Sequence, residues 1–165
     1  MTRHMTRTVV LVGLLAFVSA PRGVDRTDVA SAQALPSFIS ITPNLVVQNV
    51  ERSTRFYRDV LGFAVKETVP AQAPFVFVWI ERDGVRLFLN DAKTAAVDLP
   101  ILAGRRAGGT AMLYVRVTGV EALHRSVSRD AKVIMPLKTQ PYGMTEFAVL
   151  DPDGHVVTFA EERQP

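Results

Sequence analysis

Two stretches seventy residues apart carry the same punctuation. Asp151-Pro152-Asp153-Gly154 stands between the alternating segment Thr145 to Leu150 and the β-rich run His155 to Glu161. Pro152 sets the φ angle that a type I turn needs, and Gly154 can take the left-handed conformation that closes it. The stretch is therefore a hairpin signal with a mechanism. Asp83-Gly84 stands likewise between Phe75 to Ile80 and Val85 to Leu89. The same offset sets Val47, Val50 and Glu51 against Val117, Val120 and Glu121, and Leu89 against Phe159. Matches at both ends of a unit, in one register, argue for a duplicated unit, and duplication decides the architecture.

Each copy reads as β-α-β-β-β. In the first, Phe38 to Val47 is a strand and Asn49 can cap a helix by accepting from a free backbone N–H. Val50, Thr54, Tyr57 and Leu61 then form one helical stripe, and Gly62 ends it. Phe63 to Val69, Phe75 to Ile80 and Val85 to Leu89 supply three more strands. A connector over 91–109 follows, punctuated by Pro100, Gly104, Gly108 and Gly109, with Arg105-Arg106 as a solvated pair. The second copy opens with a strand from Thr110 to Val117. Thr118 or Gly119 caps a helix striped by Val120, Leu123, His124 and Val127. Lys132 to Met135 is a short strand broken by Pro136, and Tyr142 to Leu150 with His155 to Glu161 form the closing hairpin. Either unit alone would leave one sheet face bare. The expectation is an α+β fold in which two tandem βαβββ modules, about 38–91 and 110–162, form a curved mixed sheet around a central cup, helices outside.

A chain of 165 residues, 48% hydrophobic, makes one domain with a real core. It has no cysteine, so neither a disulfide nor a thiolate site can form. Residues 1–34 read as a leader. Arg3, His4 and Arg7 make a positive start, Val9 to Ala20 is too short to span a bilayer comfortably, and Ala30 to Ala34 offers small-residue cleavage patterns. A retained N-terminal anchor is the alternative. Removing the leader leaves 15 basic and 14 acidic residues, so the body is nearly neutral. The expectations are a periplasmic or secreted protein without a stable membrane span once the leader is gone. A neutral body gives no electrostatic reason to bind nucleic acid.

Thr42-Pro43-Asn44-Leu45-Val46-Val47, then Asn49 to Tyr57 and Leu61-Gly62-Phe63, resemble the opening motif of the vicinal oxygen chelate superfamily. Tyr142 to Val149 leading into Asp151-Pro152-Asp153-Gly154 resembles its closing motif. That superfamily includes lactoylglutathione lyases, extradiol dioxygenases, and bleomycin- and fosfomycin-resistance proteins. Paired βαβββ modules are what its fold is made of, and the resemblance covers about Phe38 to Glu162. The fold hosts many chemistries, so it says little about function.

By that resemblance, metal-dependent members place ligands on the first and last strand of each module. Those positions fall here on Thr42, Phe88, Met112 and Thr158. None is a competent ligand for a hard divalent ion: phenylalanine has no donor, a thioether is too soft, and a neutral hydroxyl is weak. No metal and no cofactor are therefore expected. Strand alternation carries Asn44, Val46, Arg86, Asn90, Tyr114, Arg116, Val156 and Ala160 to the same face. The result is a mostly apolar cup suited to a small molecule, or else side chains that simply fill the space between the sheets. Glu146 is a rim charge or a cup residue, and with Tyr114 it is a candidate acid or base. His124 reads as packing and His155 as structural. Phe75, Phe77 and Trp79 share one strand face, toward core or cup.

Three functions stay open at this point. The resemblance to the metal-free, bleomycin-resistance-like branch implies a homodimeric protein that sequesters a small, largely apolar ligand. The expected ligand-binding set is Thr42, Asn44, Arg86, Phe88, Met112, Tyr114, Glu146 and Thr158. The alternatives are a lyase, isomerase or dioxygenase with a non-standard metal site, and an interaction module with its cup packed shut.

Overall fold

The structure is a computed structural model that describes residues 37–163 apart from 110; the leader and its cleavage sites lie outside the described residues. The first module contains β1 (Asn44–Val47), α1 (Val50–Arg55), β2 (Ala64–Val69), β3 (Phe77–Arg82) and β4 (Val85–Asp91). A short helix α2 (Ala92–Asp98) lies in the connector. The second module contains β5 (Met112–Arg116), α3 (Val120–Val127), β6 (Lys132–Thr139), β7 (Met144–Leu150) and β8 (Val156–Glu162). The strands form two four-stranded mixed sheets, ordered β1-β4-β3-β2 and β5-β8-β7-β6. Among the described residues no helix is long and apolar enough to cross a membrane.

The repeat is visible in the registers. β1 runs parallel to β4 with Asn44 opposite Phe88, and β5 runs parallel to β8 with Tyr114 opposite Thr158, seventy residues on. Across the hairpins, Ile80 faces Leu87 and Val149 faces Val157. One strand has moved by sixty-nine and the other by seventy, so the second turn is one residue longer. Asp83 and Gly84, with φ of 49° and 80°, make a two-residue turn of the left-handed kind that matches strand twist. At the second turn the Gly154 N–H donates to Asp151 O at 3.1 Å, as a type I turn requires.

Local chemistry sets the helices. Asn49 caps α1 by accepting from the Arg52 N–H at 2.7 Å, and Val50, Thr54, Tyr57 and Leu61 all turn inward as the stripe predicts. The helix widens over Phe56–Val60, where the Leu61 N–H reaches back five residues to Phe56 O. α3 has a glycine at its cap position, so the cap comes from elsewhere. The Glu161 carboxylate on β8 accepts from the Gly119 and Val120 N–H groups at 2.9 and 2.8 Å. Those backbone bonds hold the Glu161 carboxyl below its usual range.

The core lies between the sheets and the helices. Leu45, Val47, Val78, Ile80, Leu87 and Leu89 from the first sheet meet Val50, Tyr57 and Leu61 from α1. Phe147, Val149, Val157 and Phe159 continue the same cluster from the second sheet, with Val120 and Val127 from α3. Each fully buried side chain of this size contributes about 1.5–3 kcal/mol.

Three expectations are corrected. The strand expected from Phe38 begins only at Asn44, because Pro43 has no N–H to give to a ladder. Pro136 does not break β6, which runs on to Thr139. It sits on an edge strand between register shifts at Met135 and Lys138, where a missing donor costs nothing. The connector is not plain loop: the Asp91 carboxylate accepts from the Lys93 and Thr94 N–H groups and starts α2.

Candidate functional site

Strand alternation gives each sheet a helix-facing side and a helix-free side. On the first sheet the helix-free side carries Asn44, Val46, Phe77, Trp79, Arg86, Phe88 and Asn90, the register partners being Asn44 with Phe88, Trp79 with Phe88 and Phe77 with Asn90. It is an aromatic platform. Phe77 and Phe88 meet edge to face at 5.1 Å, and Trp79 meets Phe88 at 6.4 Å. Arg86 lies over the Trp79 ring at 5.6 Å and is itself held by Glu81 at 2.9 Å. Trp79 Nε1 is buried and has no hydrogen-bond partner among the described residues. The expected single face of Phe75, Phe77 and Trp79 is corrected. Phe75 precedes the strand and packs on the core, its N–H held by the Glu51 carboxylate at 2.7 Å.

On the second sheet the same side carries Met112, Tyr114, Arg116, Glu146, Ala148, Val156, Thr158 and Ala160. Its centre is polar. Glu146 is only 4% exposed, so it is not a solvated rim charge. Its Oε2 accepts from the Tyr114 hydroxyl at 3.0 Å and its Oε1 from the Tyr142 hydroxyl. Donation to Glu146 pushes the Tyr142 hydroxyl up to about 12, with partial desolvation and the Glu146 charge adding to it. Tyr114 is raised in the same direction, by desolvation first and then by Glu146. Sequence reasoning missed Tyr142 as a site residue. The available signal was the turn: Gln140 N–H to Met144 O at 2.7 Å folds the segment back, which returns Tyr142 over the strand it precedes.

A groove of about 580 Å³ joins the two halves. Thr42, Arg86, Met112, Tyr114 and Arg116 line it, together with neighbouring residues of β4 and β5. Of the eight expected ligand-binding residues, Thr42, Arg86, Met112 and Tyr114 thus border one groove, while Asn44, Phe88, Glu146 and Thr158 lie on the helix-free faces that flank it. The four family metal positions do not fit a hard divalent ion. Phe88 packs on aromatic rings, Met112 is 69% exposed with only a thioether, and Thr42 and Thr158 offer neutral hydroxyls. Among the described residues no three His, Cys, Asp or Glu side chains converge.

Both described histidines are accounted for away from this groove. His124, half-buried on α3, packs edge to face on the core residue Phe147 at 4.9 Å. His155 is buried, with Nδ1 2.8 Å from Asp151 Oδ2, while the Gly108 N–H donates to its Nε2 at 3.1 Å. Asp151 also accepts from the Tyr57 hydroxyl at 3.1 Å and from the backbone N–H groups of Asp153 and His155. Burial works against its charge, but the hydrogen bonds from His155 and Asp153 outweigh it and hold the carboxyl below its usual range. Here the second turn is bonded to the first module and to the connector.

Comparison with known proteins points one way. The family model described as "Glyoxalase/Bleomycin resistance protein/Dioxygenase superfamily" matches residues 38–159. A bleomycin resistance protein of Geobacillus stearothermophilus is 27% identical over 130 residues, which covers 73% of this chain and 94% of that protein. One from Staphylococcus aureus matches to the same extent. Among solved structures, a protein of unknown function from Agrobacterium tumefaciens superposes with a TM-score of 0.64 at 25% identity, over 77% of this chain and 96% of that one. A glyoxalase/bleomycin resistance protein/dioxygenase from Nocardioides gives a TM-score of 0.64 at 22% identity, over 80% and 88%.

Proposed function

This chain belongs to the glyoxalase/bleomycin resistance protein/dioxygenase superfamily, and we propose that it binds and sequesters a small, largely apolar molecule without a metal ion. The observation that carries this reading is the aromatic platform of Phe77, Trp79 and Phe88, which takes up one of the four family metal positions with a ring. The platform offers a flat ligand an apolar, aromatic surface. The groove shares Arg86 with the platform and gives a ligand room at the surface. The curated relatives, named for resistance to bleomycin, support sequestration as the mode of action. The leader pattern of residues 1–34 supports export to the periplasm or beyond. Among the described residues β1 and β5 are each bonded on one side only, and such edges support pairing with a second copy.

Trp79 is the only tryptophan in the chain, so its fluorescence reports on the platform directly. We expect purified protein to carry substoichiometric nickel, zinc, manganese and iron. Titration with metal-free bleomycin, and with a panel of planar apolar compounds, should change Trp79 emission equally with and without a chelator. Stoichiometric metal, or binding abolished by the chelator, would overturn the proposal in favour of a metal-dependent enzyme.

A further inference from the structure

The two helix-free faces differ in how their charges are balanced. On the first sheet the aromatic rings already hold a cation, because Arg86 covers Trp79 and is paired with Glu81. On the second sheet the arrangement is reversed: a buried carboxylate bonds to two phenols, and among the described residues no cation pairs with it. Among the described residues Glu146 takes part in hydrogen bonds from Tyr114 and Tyr142 and in no ion pair. Arg116, on the same face as Tyr114, is committed to Glu162 at 2.9 Å. Lys138, the register partner of Glu146 on β6, is exposed and makes no bond to it.

From this we infer that Glu146, Tyr114 and Tyr142 form a subsite for a protonated amine on the ligand. Each tyrosine spends its only proton on Glu146, so its oxygen can only accept from anything that approaches. Tyr114 is 53% exposed and Tyr142 67%, so both side chains can be reached by a visitor. What the subsite presents is therefore two acceptors, two aromatic rings and the one negative charge they bond to. An ammonium group satisfies all three at once, through donation to the phenol oxygens, attraction to the rings and attraction to the carboxylate. A neutral hydroxyl satisfies only the first. Tyr114 also borders the groove, so an amine held here leaves the rest of the molecule in the groove that Thr42, Arg86 and Met112 also line. The inference rests on the binding function proposed above and adds the ligand's charged group to it.

The test compares naphthylmethylamine, protonated at neutral pH, with naphthylmethanol, its neutral counterpart, by calorimetry on the intact chain. Hydrogen bonds to charged groups predict that the amine binds about tenfold more tightly or better. Glu146→Gln keeps the shape and should erase that preference. Tyr142→Phe should reduce the preference several-fold; its exposed ring leaves little reason for the variant to misfold, so it decides the matter if Glu146→Gln does not fold. Equal binding of the two probes, or a preference that survives the variants, overturns the amine subsite and leaves the binding function standing. Failure of both probes to bind overturns both.

Discussion

At the first hairpin, Asp83 leaves 86% of its side chain in solvent and touches only Arg82 beside it, at 3.3 Å. At the second, the residue seventy positions on, Asp153, has a fully buried side chain. Its carboxylate accepts from the Gln48 N–H, from Arg52 Nη2 at 2.8 Å and from the Ser53 hydroxyl at 2.7 Å, all in the first module. Two copies of one turn thus do unequal work. One merely reverses a strand, and the other ties its module to the first module's helix. The helix-free faces diverge in the same way, one aromatic with a resident guanidinium, the other polar with a carboxylate held by two tyrosine hydroxyls. Duplication supplies the topology, and difference accumulates where one copy must hold the other or receive something from outside.

The sharpest test of that inequality is a matched pair of substitutions. Asp153→Asn replaces a buried acceptor of a charged bond with an amide whose N–H₂ faces other donors. Bonds of that kind predict a loss of about 2–3 kcal/mol. Asp83→Asn changes an exposed residue to another that tolerates a positive φ, and should stay within about 0.5 kcal/mol. Urea unfolding of both variants checks the difference. Similar losses at the two sites would mean that the turns carry equal loads, and the comparison would fail.

How much of this was legible depends on whether the cause was local. The Asn49 cap, the stripe through Tyr57 and Leu61, and the Asp83-Gly84 turn are set by residues close in sequence, and periodicity and turn chemistry found them. The four family metal positions came from the resemblance alone, residue by residue. What was not legible came from partners far along the chain. No local signal says that Asp153 reaches Ser53, one hundred residues away, or that Glu161 caps a helix on another element. The burial of Glu146 is similar: it depends on Tyr114, thirty-two residues upstream, and on a turn that brings Tyr142 back. Pro136 misled for the opposite reason. Its local effect is real, but an edge strand with a bulge absorbs it.

The connector sharpens the comparison further, since it meets the second turn and not the first. A Cβ on Gly108 would stand 2.8 Å from Asp153 O and 2.9 Å from Gly154 C, both backbone atoms that cannot step aside cheaply. Gly104 has a similar φ, +70° against +77°, with nothing within 4 Å. Gly104→Ala should therefore cost about 1 kcal/mol for its backbone conformation alone. Gly108→Ala adds the clash and should cost about 2–3 kcal/mol. Thermal melts separate the two. Equal shifts would show that the connector does not bear on the turn.

The smallest effect concerns the proton that links the modules. The Tyr57 hydroxyl is driven well above its ordinary range, by burial first and then by the Asp151 charge beside it. A folded pKa above the unfolded one means that the folded chain holds this proton more tightly. Its contribution is full below about pH 10, the ordinary tyrosine value, and is lost as pH rises further. Asp151 has the opposite sign. Its folded pKa is depressed, so its contribution is full above the ordinary carboxylate range and lost as pH falls through it. The second turn should thus be weakened from both ends of the pH scale. The first turn, with the exposed Asp83, has no such buried pair. Tyr57→Phe removes one donor to a carboxylate that keeps its bonds from His155 and Asp153, so the loss at neutral pH should be about 1 kcal/mol. In that variant the alkaline decline measured by urea midpoints should flatten while the acid decline stays. An alkaline decline unchanged by the substitution would place the titrating group elsewhere and detach Tyr57 from the link.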